Sequence, residues 1–149
     1  PIGYQAQVVQ DVATDEVRLE IVETVYGSWA TSHGLMGTDR DPAADADGDG
    51  QKNLYEFAFN GDPNDGSKGA SVCCFDGGTF SATRRAAAVA GLVYVLQEST
   101  TLGGWTVVTG TSSTVASVSG DFETVEITKP AGWGSGAKHF LRLKVEMAP

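Results

Sequence analysis

Asp45, Asp47 and Asp49 stand two residues apart, and Glu56 follows on the same short run, Asp45-Ala46-Asp47-Gly48-Asp49-Gly50-Gln51-Lys52-Asn53-Leu54-Tyr55-Glu56. Carboxylates at that spacing can converge on one hard cation, which takes about six to eight oxygens. Gly50 falls where the chain must turn sharply and a Cβ would obstruct it. Gln51 can offer its main-chain carbonyl. Asn53 can reach an ion directly or through water, and Glu56 can close the site with both carboxylate oxygens. The expected metal set is therefore Asp45, Asp47, Asp49, Gln51, Asn53 and Glu56, and the expected ion is Ca2+. The alternative is an acidic, glycine-rich loop that only solvates itself.

The spacing is that of the twelve-residue EF-hand loop. A regular EF-hand sets its entering helix directly against the loop. Here residues 23–32 predict a short helix, with Val25, Trp29 and Tyr26 on one side and Gly34 closing it, and a linker over 37–44 then intervenes. Residues 53–59 predict the exiting helix, carrying Leu54, Phe57 and Ala58 inward. Asn60-Gly61-Asp62-Pro63 stops it, with Gly61 as the C-terminal cap. The expectation is a calcium loop with one attached helix, not a paired sensor.

The remaining elements are strands. Residues 16–21 alternate strictly, with Val17, Leu19 and Ile21 on one face and charges on the other. Residues 4–10 are extended and uncharged, and 11–15 break the two runs apart. Beyond residue 67 the chain alternates strand and turn. Strands are expected at 71–75, 79–85, 92–98, 105–109, 114–118, 123–128 and 139–146. In the last of these, Leu141, Leu143 and Val145 face in while Arg142, Lys144 and Glu146 face out. Short strands at this spacing predict a mainly β chain, an antiparallel immunoglobulin/fibronectin-like β-sandwich with a small helical EF-hand-like calcium segment. The parts are an N-terminal strand segment over 1–22, the helix and calcium loop over 23–66, and the sandwich over 67–149.

With 149 residues, 41 % of them hydrophobic, the chain can bury a core of its own. A formal charge of −9, with only 10 Lys and Arg, offers no basic stripe for nucleic acid and repels anionic lipid. No apolar run is long enough for membrane insertion. Pro1 in place of methionine suggests a processed chain whose signal peptide is gone. Cys73 and Cys74 are neighbours, and a disulfide between them would close a strained ring. Two reduced thiols are the first reading; a vicinal or an intermolecular disulfide are the alternatives.

The order of motifs resembles a module found near the C-terminus of secreted proteins of Verrucomicrobia, Planctomycetes and relatives. The resemblance rests on Tyr26-Gly27-Ser28-Trp29-Ala30, Gly34-Leu35, the loop from Asp45 to Glu56, and Phe57-Ala58-Phe59-Asn60-Gly61-Asp62-Pro63. Leu92-Val93-Tyr94-Val95, Leu102 to Trp105 and His139-Phe140-Leu141-Arg142-Leu143 extend it to roughly residues 24–147. The loop is also similar to dockerin and thrombospondin type 3 loops. Cys73-Cys74 departs from the pattern. What the resemblance implies is an extracellular or cell-surface, calcium-stabilised β module with a structural or accessory role and no enzymatic activity.

No nucleophile elbow, phosphate loop or zinc spacing is present. His33 and His139 lie far apart and read as surface or packing residues, so no enzyme is expected. Two roles remain. Trp133, in Gly132-Trp133-Gly134-Ser135-Gly136, is the candidate sugar contact of a carbohydrate-binding module, against a capping role for the same residue. Trp29 and Trp105 sit at periodic apolar positions and read as core. The favoured role is a structural or adhesive surface protein whose partners are other copies of itself. In that reading residues 2–10 join an exposed sheet edge of a neighbour and build a filament. The alternative is that the same residues complete their own sheet.

Overall fold

The computed structural model describes residues 3–11, 16–69, 74–76, 79–128 and 140–148. Trp133, His139 and Cys73 lie outside them, as do the expected turn at 132–136 and most of the expected break at 11–15. Period-two alternation decides most of what is described. Nine strands form, β1 (Tyr4–Asp11), β2 (Glu16–Glu23), β3 (Cys74–Asp76), β4 (Thr79–Arg85), β5 (Leu92–Ser99), β6 (Thr106–Val107), β7 (Ser112–Ser119), β8 (Phe122–Thr128) and β9 (Phe140–Met147). All pair antiparallel, in three sheets ordered β1-β2, β3-β4-β8-β7 and β6-β5-β9. The chain is mainly β, and the two larger sheets share one core, consistent with a sandwich.

That core is built from alternate residues. Phe80 and Ala82 of β4 and Val125 and Ile127 of β8 meet Leu92 of β5 and Leu143 of β9. Leu141 and Val145 pack against them from β9, so the expected inward face of the last strand is the observed one. Trp105 is different: it is half-buried outside this cluster, with the Arg142 guanidinium 4.2 Å from its ring centre. Strand β7 is exposed along its whole length and is bulged between Val115 and Ser117.

Two helices close one end. In α1 (Val25–Ser32) the Thr24 hydroxyl accepts the Gly27 N–H at 3.1 Å and caps the first turn. The last turn ends as the sequence predicts: Gly34 adopts φ 71°, and the Leu35 N–H returns to the Ala30 carbonyl at 3.0 Å. The inward face is the expected one only in part: Tyr26 is buried, together with Gly27 and Ala30, while Val25 is exposed. Gly27 lies so close to the Gly3 carbonyl that no Cβ fits there. Trp29 packs at the edge of the core against Tyr26 and Phe57.

Helix α2 (Asn53–Phe59) buries Phe57, Ala58 and Phe59, while Leu54 is half-buried. Both helices join the core of the two sheets, so residues 23–66 do not make a separate one. Arg85 fastens α2 to the sheets. It is buried, its guanidinium lies between the rings of Phe57 and Phe122, its Nε donates to the Phe57 carbonyl at 3.0 Å and its Nη1 meets Asp121 at 2.9 Å. A one-turn helix, α3 (Ala87–Ala90), follows β4.

In the N-terminal segment the second of the two expected readings is the one observed: strand β1 is paired with β2 over its full length, from Tyr4 opposite Glu23 to Asp11 opposite Glu16. The expected apolar face of β2 lacks a cover among the described residues: Leu19 is 67 % and Ile21 60 % exposed, and Val8, opposite Leu19, is 72 % exposed. The hairpin is held at its base, where the Thr24 N–H donates to Gly3, and Arg40 stacks on Tyr4 and pairs with Glu23 at 2.6 Å.

Candidate metal centre

The loop is shaped by its own carboxylates. Asp45 accepts the N–H groups of Gly48 at 2.9 Å and Gly50 at 3.0 Å, one on each oxygen. Asp47 accepts the Asp49 N–H at 3.1 Å, and Asp49 accepts the Gln51 N–H at 2.6 Å. Each bond folds the chain back on the preceding aspartate, as short polar side chains do in turns. Gly50, at φ 93°, takes the backbone conformation that a side chain would resist. The outcome is that ligand atoms of Asp45, Asp47 and Asp49 lie within 4.8 Å of one another.

The base of the loop is closed by backbone. The Asn53 N–H donates to Ala44 at 2.8 Å and the Leu54 N–H to Pro42 at 3.0 Å. Asn53 is fully buried, and its Nδ2 donates to the carbonyls of Asp39 at 2.6 Å and Asp41 at 3.0 Å. Its amide nitrogen thus ties down the linker, and its Oδ1 is the atom left over. Gln51 donates its side-chain amide to Asp49 at 3.1 Å.

Glu56 carries the strongest signal. It is 1 % exposed, and neither carboxylate oxygen accepts a hydrogen bond from any described residue. Asp47 Oδ2 is buried in the same way. A buried carboxylate without partners is strongly disfavoured unless something compensates its charge. Burial first, and then the charges of Asp47, Asp49, Asp45 and Asp62, push its pKa up to about 7. One cation among these groups would offset the cost of burial and remove the mutual repulsion.

Residues 61–69 complete the enclosure, and the sequence reading missed their part. A Cβ on Gly61 would meet Cβ and Cγ of Glu56 at 2.9 Å, and one on Gly66 would meet Cβ of Asp49 at 2.9 Å. The expected cap residue is therefore glycine for close approach. The left-handed cap itself is Asn60, at φ 63°, and the Gly61 N–H returns to the Glu56 carbonyl at 2.9 Å. Asp62 adds its charge to the centre while sharing Lys68 with Asp65, at 3.6 and 3.0 Å. The visible signal was Gly-Asp-Pro-Asn-Asp-Gly, read only as a helix stop.

His33 does not join the centre; its Nδ1 lies 2.9 Å from the Trp29 carbonyl and its ring packs on Trp29. Trp133 falls outside the described residues, so no sugar contact is built on it. No helix of the described chain is long and apolar enough to cross a membrane. No family model, characterised protein or solved structure matches this chain.

Proposed function

We propose that this chain is a calcium-stabilised structural module that works outside the cell and assembles with copies of itself. The carrying observation is Glu56, a buried carboxylate without hydrogen-bond partners among the described residues, beside three clustered aspartates. Asp45, Asp47, Asp49 and Glu56, with the Gln51 carbonyl, would hold the ion in an EF-hand-like loop, and Asn53 would support it from behind. The oxygen-only donor set favours Ca2+ over softer metals. The two larger sheets then form an immunoglobulin/fibronectin-like sandwich to which α2 couples the loop, as in the secreted bacterial modules this sequence resembles.

The ion's contribution is one of stability. Extracellular loops of this kind bind at roughly 10⁻⁴–10⁻³ M. With ~1 mM free calcium and a dissociation constant of ~0.1 mM, the linked stabilisation is about 1.4 kcal/mol. A sensor inside a cell would have to respond at far lower calcium. Thermal melts in millimolar calcium and in chelator test the reading. The expected difference is about 4 °C for a chain of this size, with calcium binding lost in Glu56→Gln. Identical melts, with no binding by calorimetry, would overturn it.

A further inference from the structure

Two parts of the described surface are each incomplete in a way that the other could complete. The first is the hairpin, whose apolar face carries Val8, Leu19 and Ile21 in solvent and whose β2 outer edge is unpaired. The second is a groove of about 770 Å³ beside the calcium loop. Its floor includes Pro42, Leu54 and Tyr55, and five consecutive residues of β9, 142–146, line its wall. Residues of both facings line it, so the groove runs along the backbone edge of the strand. Strand β9 ends its sheet at that side.

In the two larger sheets the other edges are poor templates. Strand β6 has two residues, β3 has three, and β7 is bulged, all features that discourage pairing. Strand β9 is the long, regular edge of those two sheets, and its eight residues equal the eight of β2.

We infer that β2 of one copy adds antiparallel to β9 of the next, with Glu20 opposite Lys144. This inference rests on the self-assembly reading above and names its interface. The register places Arg18 opposite Glu146, so both charged pairs are complementary. It also sets Leu19 opposite Val145 and Ile21 opposite Leu143, the face of β9 that packs on the core. A parallel strand with the same Glu20–Lys144 pair would put Arg18 beside Arg142, which favours the antiparallel choice. Strand β1 has no charge within 4–10 to match β9. Hairpin and groove are different patches, so the contact is head-to-tail and builds an open chain of subunits unless its rotation closes a ring.

The test is sedimentation velocity of the full chain in millimolar calcium, with Glu20→Lys, Lys144→Glu and the double exchange. Each single reversal sets like charges opposite one another and should weaken association roughly tenfold. The double exchange should restore it, which a merely destabilised fold would not do. Circular dichroism of each variant checks that the fold is kept. Assembly untouched by either reversal, or singles not rescued by the double, would overturn this pairing while leaving self-assembly standing. A wild-type chain that stays monomeric at high concentration would overturn both and leave the groove to a foreign strand or to none.

Discussion

The acidic loop segment and the N-terminal hairpin use comparable amounts of chain in opposite ways. Around the loop, residues 41–69 fix their turns with side-chain bonds, close the base with two backbone bonds and bury Asn53 and Glu56 completely. In the hairpin, backbone pairing is complete but the apolar face looks into solvent. A ladder alone is marginal in water, and packing of an apolar face supplies what it lacks. The first region thus has too much charge for its own comfort and the second too little cover. Each deficiency points to something that binds from outside.

Truncating one apolar side chain in each region gives the largest contrast. Phe57→Ala, inside the core beside α2, should cost about 4 kcal/mol in a denaturant titration. Leu19→Ala should stay within about 0.5 kcal/mol for the isolated chain, because it removes little burial. If the hairpin truncation is equally damaging, its face is covered within its own chain and the contrast collapses.

Titration sharpens the other half. With Glu56 held up at about 7 in the folded chain against an ordinary 4.5, the ionised group opposes folding above that range. The penalty, roughly 3 kcal/mol at most, fades as pH falls from about 8 towards 5. In chelator, stability should therefore rise on acidification, and Glu56→Gln should flatten the profile while raising the melting temperature above that of the parent. In calcium the slope should reverse, since protons compete with the ion for the same oxygens. An unchanged slope in Glu56→Gln would mean that other groups set it.

The smallest effect concerns the hairpin's anchor. Arg40 donates to Glu23 at 2.6 Å, to Thr31 at 2.8 Å and to the Gly27 carbonyl at 2.8 Å. Arg40→Ala should speed hydrogen exchange of β1 and β2 amides and leave the global melting temperature in place. Protection unchanged in both strands would show that the ladder stands without its base.

How much the sequence disclosed follows the same division. Alternation located β4 and the inward face of β9, because a half-buried strand has little choice once its apolar residues are placed. The aspartate spacing located the loop for the same reason: few uses other than a cation suit those residue types in that order. What alternation does not say is whether anything covers a face. Leu19 and Ile21 obey the pattern of a core strand and lie in solvent. Gly27 and Gly66 mark close approaches to Gly3 and to Asp49, partners far along the chain that no local window contains. Helix α3, four residues of alanine and valine, has neither a capping side chain nor a face to announce it.

Arg85 gives the molecule a mechanical consequence. Its bond to the Phe57 carbonyl and its ring contacts join α2 to the strand it belongs to, so that helix and sheet would carry tension as one stiff link. The β1-β2 ladder, fastened among the described residues near 3, 23 and 40, is the more compliant part. Under load, extension would concentrate in the hairpin, while the helix and sheet that Arg85 joins would keep their shape.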